Sequence, residues 1–236
     1  MAENPTTVGR GRYLAALLVG LVLYLAVAVG SNVIPSVFLP GDLAGFDFAW
    51  IGIIQIIFGL LAIALALRIA RLRLRDVGLR FDGWPKEALI GAAVALVFAL
   101  IQFTVIIPAT GGAERSDVAT NLAQIGPTIW GVVGFIILAW TGAATEEVFF
   151  RGHFLNTLKG TLGGGRMALI AAAIATVVLF AALHGYQGWA GVVDSGIYGG
   201  ITLTLLYLWR RTLTACIVAH AFWNSLAAIL LFALYA

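Results

Sequence analysis

Two adjacent glutamates and an arginine close an apolar run that begins near Ile129, in the stretch Thr145-Glu146-Glu147-Val148-Phe149-Phe150-Arg151-Gly152. A charged side chain at bilayer depth costs roughly 2.5–3.5 kcal/mol even on the lenient insertion scale, so a pair of acids there must be compensated by neighbours or by water. On a helix, Glu147 and Arg151 stand four residues apart with the acid first, the favourable order for an ion pair. Glu146 is then turned about 100° away and has no local partner. The spacing predicts one acid with a structural role and one free for proton transfer. By themselves these eight residues suit equally well two carboxylates resting in the cytoplasmic headgroup layer.

Three more polar residues fall inside apolar runs: His184, His220 and Asn224. Phe180 and His184 are one helical turn apart, as are His220 and Asn224, so each pair shares a face. A single membrane histidine is as readily a packing residue as a functional one, but Glu146, His184, His220 and Asn224 on three different helices are harder to explain as packing. Ionisable groups at depth face the bundle interior and meet one another or water. Their heights set a condition. His220 is roughly 12 Å above the basic turn that precedes its helix, whereas His184 comes near the far end of its own. The two agree only if the fourth and fifth helices both extend below the membrane before the turn at Gly160 to Gly165.

Other hydrolase signatures are missing: there is no His-Glu-x-x-His helix, no Gly-x-Gly-Asp with a second aspartate, and no Gly-x-Ser-Gly, because Val193 stands two before Ser195. Cys216, one turn before His220, is read as a small packing residue rather than a nucleophile. His153 is expected at the interface, and Gln55 and Gln102 are expected to hydrogen-bond between helices.

The elements that must carry these residues follow from composition. The chain has 236 residues, 61% hydrophobic and 11% charged, with a mean hydropathy of +1.01; soluble domains carry roughly 25% charged residues. The expected fold class is an all-α, polytopic membrane helical bundle of about seven transmembrane helices. The spans are placed at Tyr13 to Ile34, Phe48 to Leu67, Ala88 to Ile107, Thr128 to Leu158, Arg166 to His184, Asp194 to Trp209 and Leu213 to Tyr235, each near the roughly 20 apolar residues a bilayer requires. Residues 1–12 form a polar tail, and Pro108 to Pro127 a polar loop. Ala26-Val27-Ala28 could mimic a signal-peptidase site, but the apolar run continues past it, so the first span is read as a retained helix. One cysteine excludes an intrachain disulfide framework and an all-thiolate zinc site. No basic tract or Gly-rich phosphate loop suggests nucleic acid or nucleotide as a partner.

With seven spans, the side holding the N-terminus also holds all 14 lysines and arginines except Arg115. Basic residues in short loops mark the cytoplasmic side, so the expectation is a multi-pass cell-membrane protein with a cytoplasmic N-terminus and an external C-terminus. Residues 1–127 are read as an N-terminal three-helix region and 128–236 as a four-helix core, integrated in one membrane domain.

Glu146-Glu147-x-x-x-Arg151, Phe180-x-x-x-His184 and His220-x-x-x-Asn224, in that order on successive helices, resemble the three motifs of the CAAX prenyl protease and bacteriocin-processing family, also called CPBP or Abi. The resemblance covers about residues 128–235 and lacks no motif residue. It implies an intramembrane glutamic-type endopeptidase in which Glu146 and His184 activate water while His220 and Asn224 stabilise the oxyanion, with Glu147 and Arg151 in support. It also implies a membrane-associated protein or peptide substrate, prenylated CAAX proteins and bacterial precursors being two options, and no cofactor. A zinc form of the same protease is the variant to be tested, since a glutamate, two histidines and a water satisfy a catalytic zinc site. Outside the hydrolases stands a non-catalytic immunity or scaffolding protein, in which interhelical hydrogen bonds averaging about 0.6 kcal/mol would be a small return on two acids and two histidines. A proton-coupled transporter would show repeated halves and broken helices, and the sequence shows neither.

Overall fold

A computed structural model describes residues 8–39, 41 and 43–236. Most of the polar tail expected over residues 1–12, together with Pro40 and Asp42 of the loop after the first span, lies outside the described residues. Among the described residues there is no strand, and seven helices are long and apolar enough to cross a membrane. The chain runs through α1 (Arg10–Phe38), α2 (Gly45–Ile69), α3 (Trp84–Ala109), the short α4 (Ser116–Ile125), α5 (Ile129–Thr161), α6 (Gly165–Leu183), α7 (Gly185–Arg210) and α8 (Leu213–Tyr235).

The C-terminal helix α8 is the centre of the packing, lying against α3 on one side and α5 on the other. Gly91 of α3 makes the first contact possible: a Cβ there would overlap the Ala215 carbonyl and come within 2.9 Å of the Ala219 nitrogen. Close approach through glycine is how helices associate in lipid, where no hydrophobic drive separates them from the solvent. At the basic end, Glu87 accepts from Arg210 Nε at 3.0 Å and from Nη2 at 2.5 Å, tying α3 to α7. Gly78, at φ 99°, turns the basic connection so that its carbonyl accepts from Leu213 N at 2.8 Å, which fixes where α8 begins.

The α5 helix runs past the start of α8, as the heights of the two histidines require. Gly152 of α5 lies against Val77 of the basic connection and Leu213 at the start of α8, and α5 continues to Thr161, roughly 13 Å further at the helical rise. It then turns through Gly163, Gly164 and Gly165, all at positive φ, into α6. The N-terminal half of α1 covers this extension. Tyr24 stacks on Phe149 at 3.7 Å, and the ring of Tyr13 occupies space left by Gly160.

Three expectations are corrected. The Pro108 to Pro127 stretch holds α4, whose Val118 and Ile125 are buried. The sixth span begins at Gly185 through a 3₁₀ turn rather than near Asp194, so Asp194 lies within the helix. His153 is fully buried instead of interfacial: its Nε2 donates to the Ala16 carbonyl at 2.9 Å, and Gly20 of α1 leaves room for the ring. Gln55 bonds Ser31 of α1 at 3.2 Å as expected, but the buried Gln102 Oε1 finds no partner.

Candidate active site

The two neighbouring glutamates occupy different environments. Glu147 is fully buried; its Oε1 accepts from Arg151 Nη1 at 2.8 Å and from His220 Nδ1 at 2.9 Å. Arg151 is also fully buried, donates to the Gly200 carbonyl at 3.3 Å, and lies 4.9 Å from the centre of the Phe180 ring. A buried ion of this kind is tolerable only when its charge is paired, as Glu147 pairs it here, although its Nε is left without a partner. Glu146 keeps 28% of its side chain exposed, and its Oε2 has no hydrogen-bond partner.

Local backbone geometry separates them. Directly after Glu147 the helix widens into a π-helical stretch, Val148–Phe154, and α7 carries another at Gly196–Thr202, where Gly200 meets Arg151. Such insertions cost hydrogen-bond quality and recur at functional sites. Here they let an entirely buried Arg151 reach a carbonyl on another helix while still bonding Glu147.

The histidines are oriented from behind. A carbonyl can only accept, so the contact of His184 Nδ1 with the Phe180 carbonyl at 2.8 Å places the proton on Nδ1 and leaves Nε2 of the neutral ring as an acceptor. The same logic gives His220 a proton on Nδ1, donated to Glu147. Its Nε2 faces Glu146 Oε2 across 4.0 Å, too far for a hydrogen bond. Phe180 stands between the two histidines, with ring centres 4.6 Å from His184 and 5.9 Å from His220.

Glu146, His184, His220 and Asn224 line one cavity of about 510 Å³, so the three helices bring all four predicted residues to a common space. Glu147 and Arg151 form its buried backing. Tyr24 and Tyr198 also line the cavity; sequence alone did not single them out, because aromatic residues are common in membrane helices. At the end away from the basic loops, Arg115 is buried between Asp117 and Asp194 and bridges the α3 to α4 connection to α7. Asp117 first and Asp194 second hold its guanidinium further above its already high range. This cluster explains why an aspartate is tolerated within the sixth span.

The chemistry available is proton transfer between Glu146 and a water, with imidazole nitrogens and an amide disposed around the same space. Among the described residues no three His, Cys, Asp or Glu side chains converge as donors for a metal ion. Cys216 is buried, with its thiol against the Leu203 and Thr212 carbonyls.

No curated protein and no solved structure matches the chain. A family model does match, over residues 128–226, described as Type II CAAX prenyl endopeptidase Rce1-like. The matched segment opens at Thr128, which caps α5, and closes two residues after Asn224, so it contains the whole cluster of acids, histidines and amide. Over residues 128–226 the chain is thus similar to the Rce1-like CAAX-type proteases, a likeness consistent with the CAAX protease and bacteriocin-processing family.

Proposed function

We propose that this chain is an intramembrane endopeptidase that hydrolyses a peptide bond of a membrane-associated substrate with a water activated by Glu146. The observation that carries the proposal is the contrast between adjacent acids: Glu147 is fully buried with two donors on its Oε1, while Glu146 keeps 28% of its side chain exposed and lines the cavity that also holds His184, His220 and Asn224.

Glu146 takes a proton from water while His184 Nε2 accepts the other, orienting the oxygen toward the carbonyl carbon. As the hydroxide adds, charge develops on the carbonyl oxygen, and Asn224 and His220 Nε2–H are the donors aimed at it. His220 can donate there only as an imidazolium, since its Nδ1 proton already belongs to Glu147. Collapse of the tetrahedral intermediate breaks the C–N bond, and Glu146 returns its proton to the leaving amine. No metal enters these steps. Glu147 and Arg151 act by holding His220. The N-terminus and the basic loops are assigned to the cytoplasm.

Mass spectrometry of peptides released in membranes containing the wild-type chain, against those containing Glu146→Gln, tests this reaction. Fragments present only with the wild type are expected. Identical peptide profiles from the two would remove the peptidase assignment.

A further inference from the structure

We infer that the substrate enters the cavity sideways from the lipid, through a window between α1 and α6, and that it enters as a membrane-inserted peptide segment. This rests on the peptidase assignment above but concerns the path and not the chemistry.

Residues that both line the cavity and remain exposed mark where it opens. There are four such residues among the described ones: Leu25 (39% exposed) and Asn32 on α1, and Leu183 (41%) and Tyr186 (64%) at the end of α6 and the turn after it. The lining contributed by α2, α3, α5 and α8 is buried or half-buried. The mouth is therefore bounded by the first and fifth spans. Toward the basic end it is closed by an aromatic sill: Phe150 of α5 contacts Tyr24 of α1 at 6.0 Å and Phe180 of α6 at 4.9 Å, and all three rings are buried. Above the sill, Leu25 and Leu183 are apolar lips on helices that have the length and hydropathy of membrane spans.

The interior differs from the lips. Gln55, Gln102, Gln187 and Asn224 bring amides to the cavity wall, and the oxygen of Gln102, a residue only 1% exposed, has no partner. A hydrocarbon chain has nothing to offer these groups. An extended peptide does, because each unwound residue brings an N–H and a C=O that lipid cannot satisfy. Amides that both donate and accept match that need. The occupant of this window is thus a stretch of substrate that leaves the lipid and loses its helical hydrogen bonds on the way to Glu146.

The test uses a substrate found by the peptide-release experiment, supplied in two forms: whole in proteoliposomes, and as a short water-soluble peptide spanning the cleaved bond. Leu25→Trp with Leu183→Trp narrows the window without touching the reacting groups. Cleavage of the embedded form is expected to fall about tenfold or more in kcat/KM, while the soluble peptide is cut at close to the wild-type rate. Equal effects on both forms, or no effect on the embedded one, would overturn the inference. As a check against misfolding, Leu25→Cys with Leu183→Cys on a Cys216→Ala background is bridged by a disulfide-containing bis-methanethiosulfonate. Loss of embedded-substrate cleavage on bridging, and its return on reduction in the same sample, is the expected outcome; unchanged cleavage by the bridged protein overturns the inference. Glu146→Gln separates the two claims, since it abolishes cleavage of both forms if the chemistry is right, whatever the path.

Discussion

Replacing each of the two adjacent glutamates by glutamine should produce opposite phenotypes. In Glu147→Gln the side-chain oxygen can keep both donors at the Oε1 position, with the new amide nitrogen in place of an Oε2 that bonds nothing, but Arg151 stays buried without a counter-charge. Breaking a fully buried pair by removing one partner costs about 3–5 kcal/mol. For a chain of this size that is a fall of roughly 6–20 °C in melting temperature. Activity should fall as well, because His220 exchanges a charged acceptor for a weaker neutral one. In Glu146→Gln the altered group is partly exposed and its Oε2 bonds nothing, so stability should change by less than about 1 kcal/mol. Loss of the general base should nonetheless lower turnover by about 10²–10⁴-fold. Thermal unfolding in detergent and peptide release in proteoliposomes, measured on both variants, give the comparison. A Glu146→Gln protein that cleaves normally, or that melts below Glu147→Gln, would refute the division of roles.

Gly91→Ala should push α3 away from the Ala215 carbonyl and shift α8 one turn below His220, costing about 1–3 kcal/mol by overpacking and lowering kcat more than it raises KM; steady-state kinetics beside a melting curve would read it. Reporter fusions after Ala236 and between Arg71 and Lys86 should report opposite sides of the membrane, with the second cytoplasmic, and both on one side would contradict the seven-span order. Elemental analysis of active protein should find no stoichiometric zinc, and chelators should leave cleavage unchanged. One zinc per chain lost and regained together with activity would transfer Glu146, His184 and His220 to ligand roles.

Sequence revealed the framework because lipid makes polar residues expensive. In a chain with so few charges, each one inside an apolar run had to be explained, and the spacing of Glu147 and Arg151 was enough to foresee their hydrogen bond. What spacing could not foresee was the second bond to Glu147. His220 lies 73 positions away, and only the approach of α8 to α5 brings its Nδ1 to the same oxygen. The π-helical stretch after Glu147 was equally invisible, since a wider turn is selected by what the helix packs against and leaves no mark in residue type. His153 was misplaced for a related reason: its acceptor is a backbone carbonyl 137 positions earlier, and the cue, Gly20 on the facing helix, has meaning only once α1 and α5 are known to touch.

Two other misses had cues within the sequence. Val118, Leu122 and Ile125 follow a helical period after Ser116-Asp117, which announces α4 within the supposed loop. Gly185, Gly188 and Gly191 suggested a turn, yet glycine in a membrane helix also admits close neighbours; Gly191 lies under the Gln187 side chain, and Gly199 further along meets the Phe180 ring. Continuing the helix back through Gly191 to the turn at Gly185–Gln187 carries Asp194 inside the sixth span, where it requires a cation. The one basic residue away from the basic end is Arg115, and it is the residue that meets Asp194. The same charge asymmetry used to orient the chain could therefore have paired these two groups and drawn the α3 to α4 connection over the cavity before any coordinates were known.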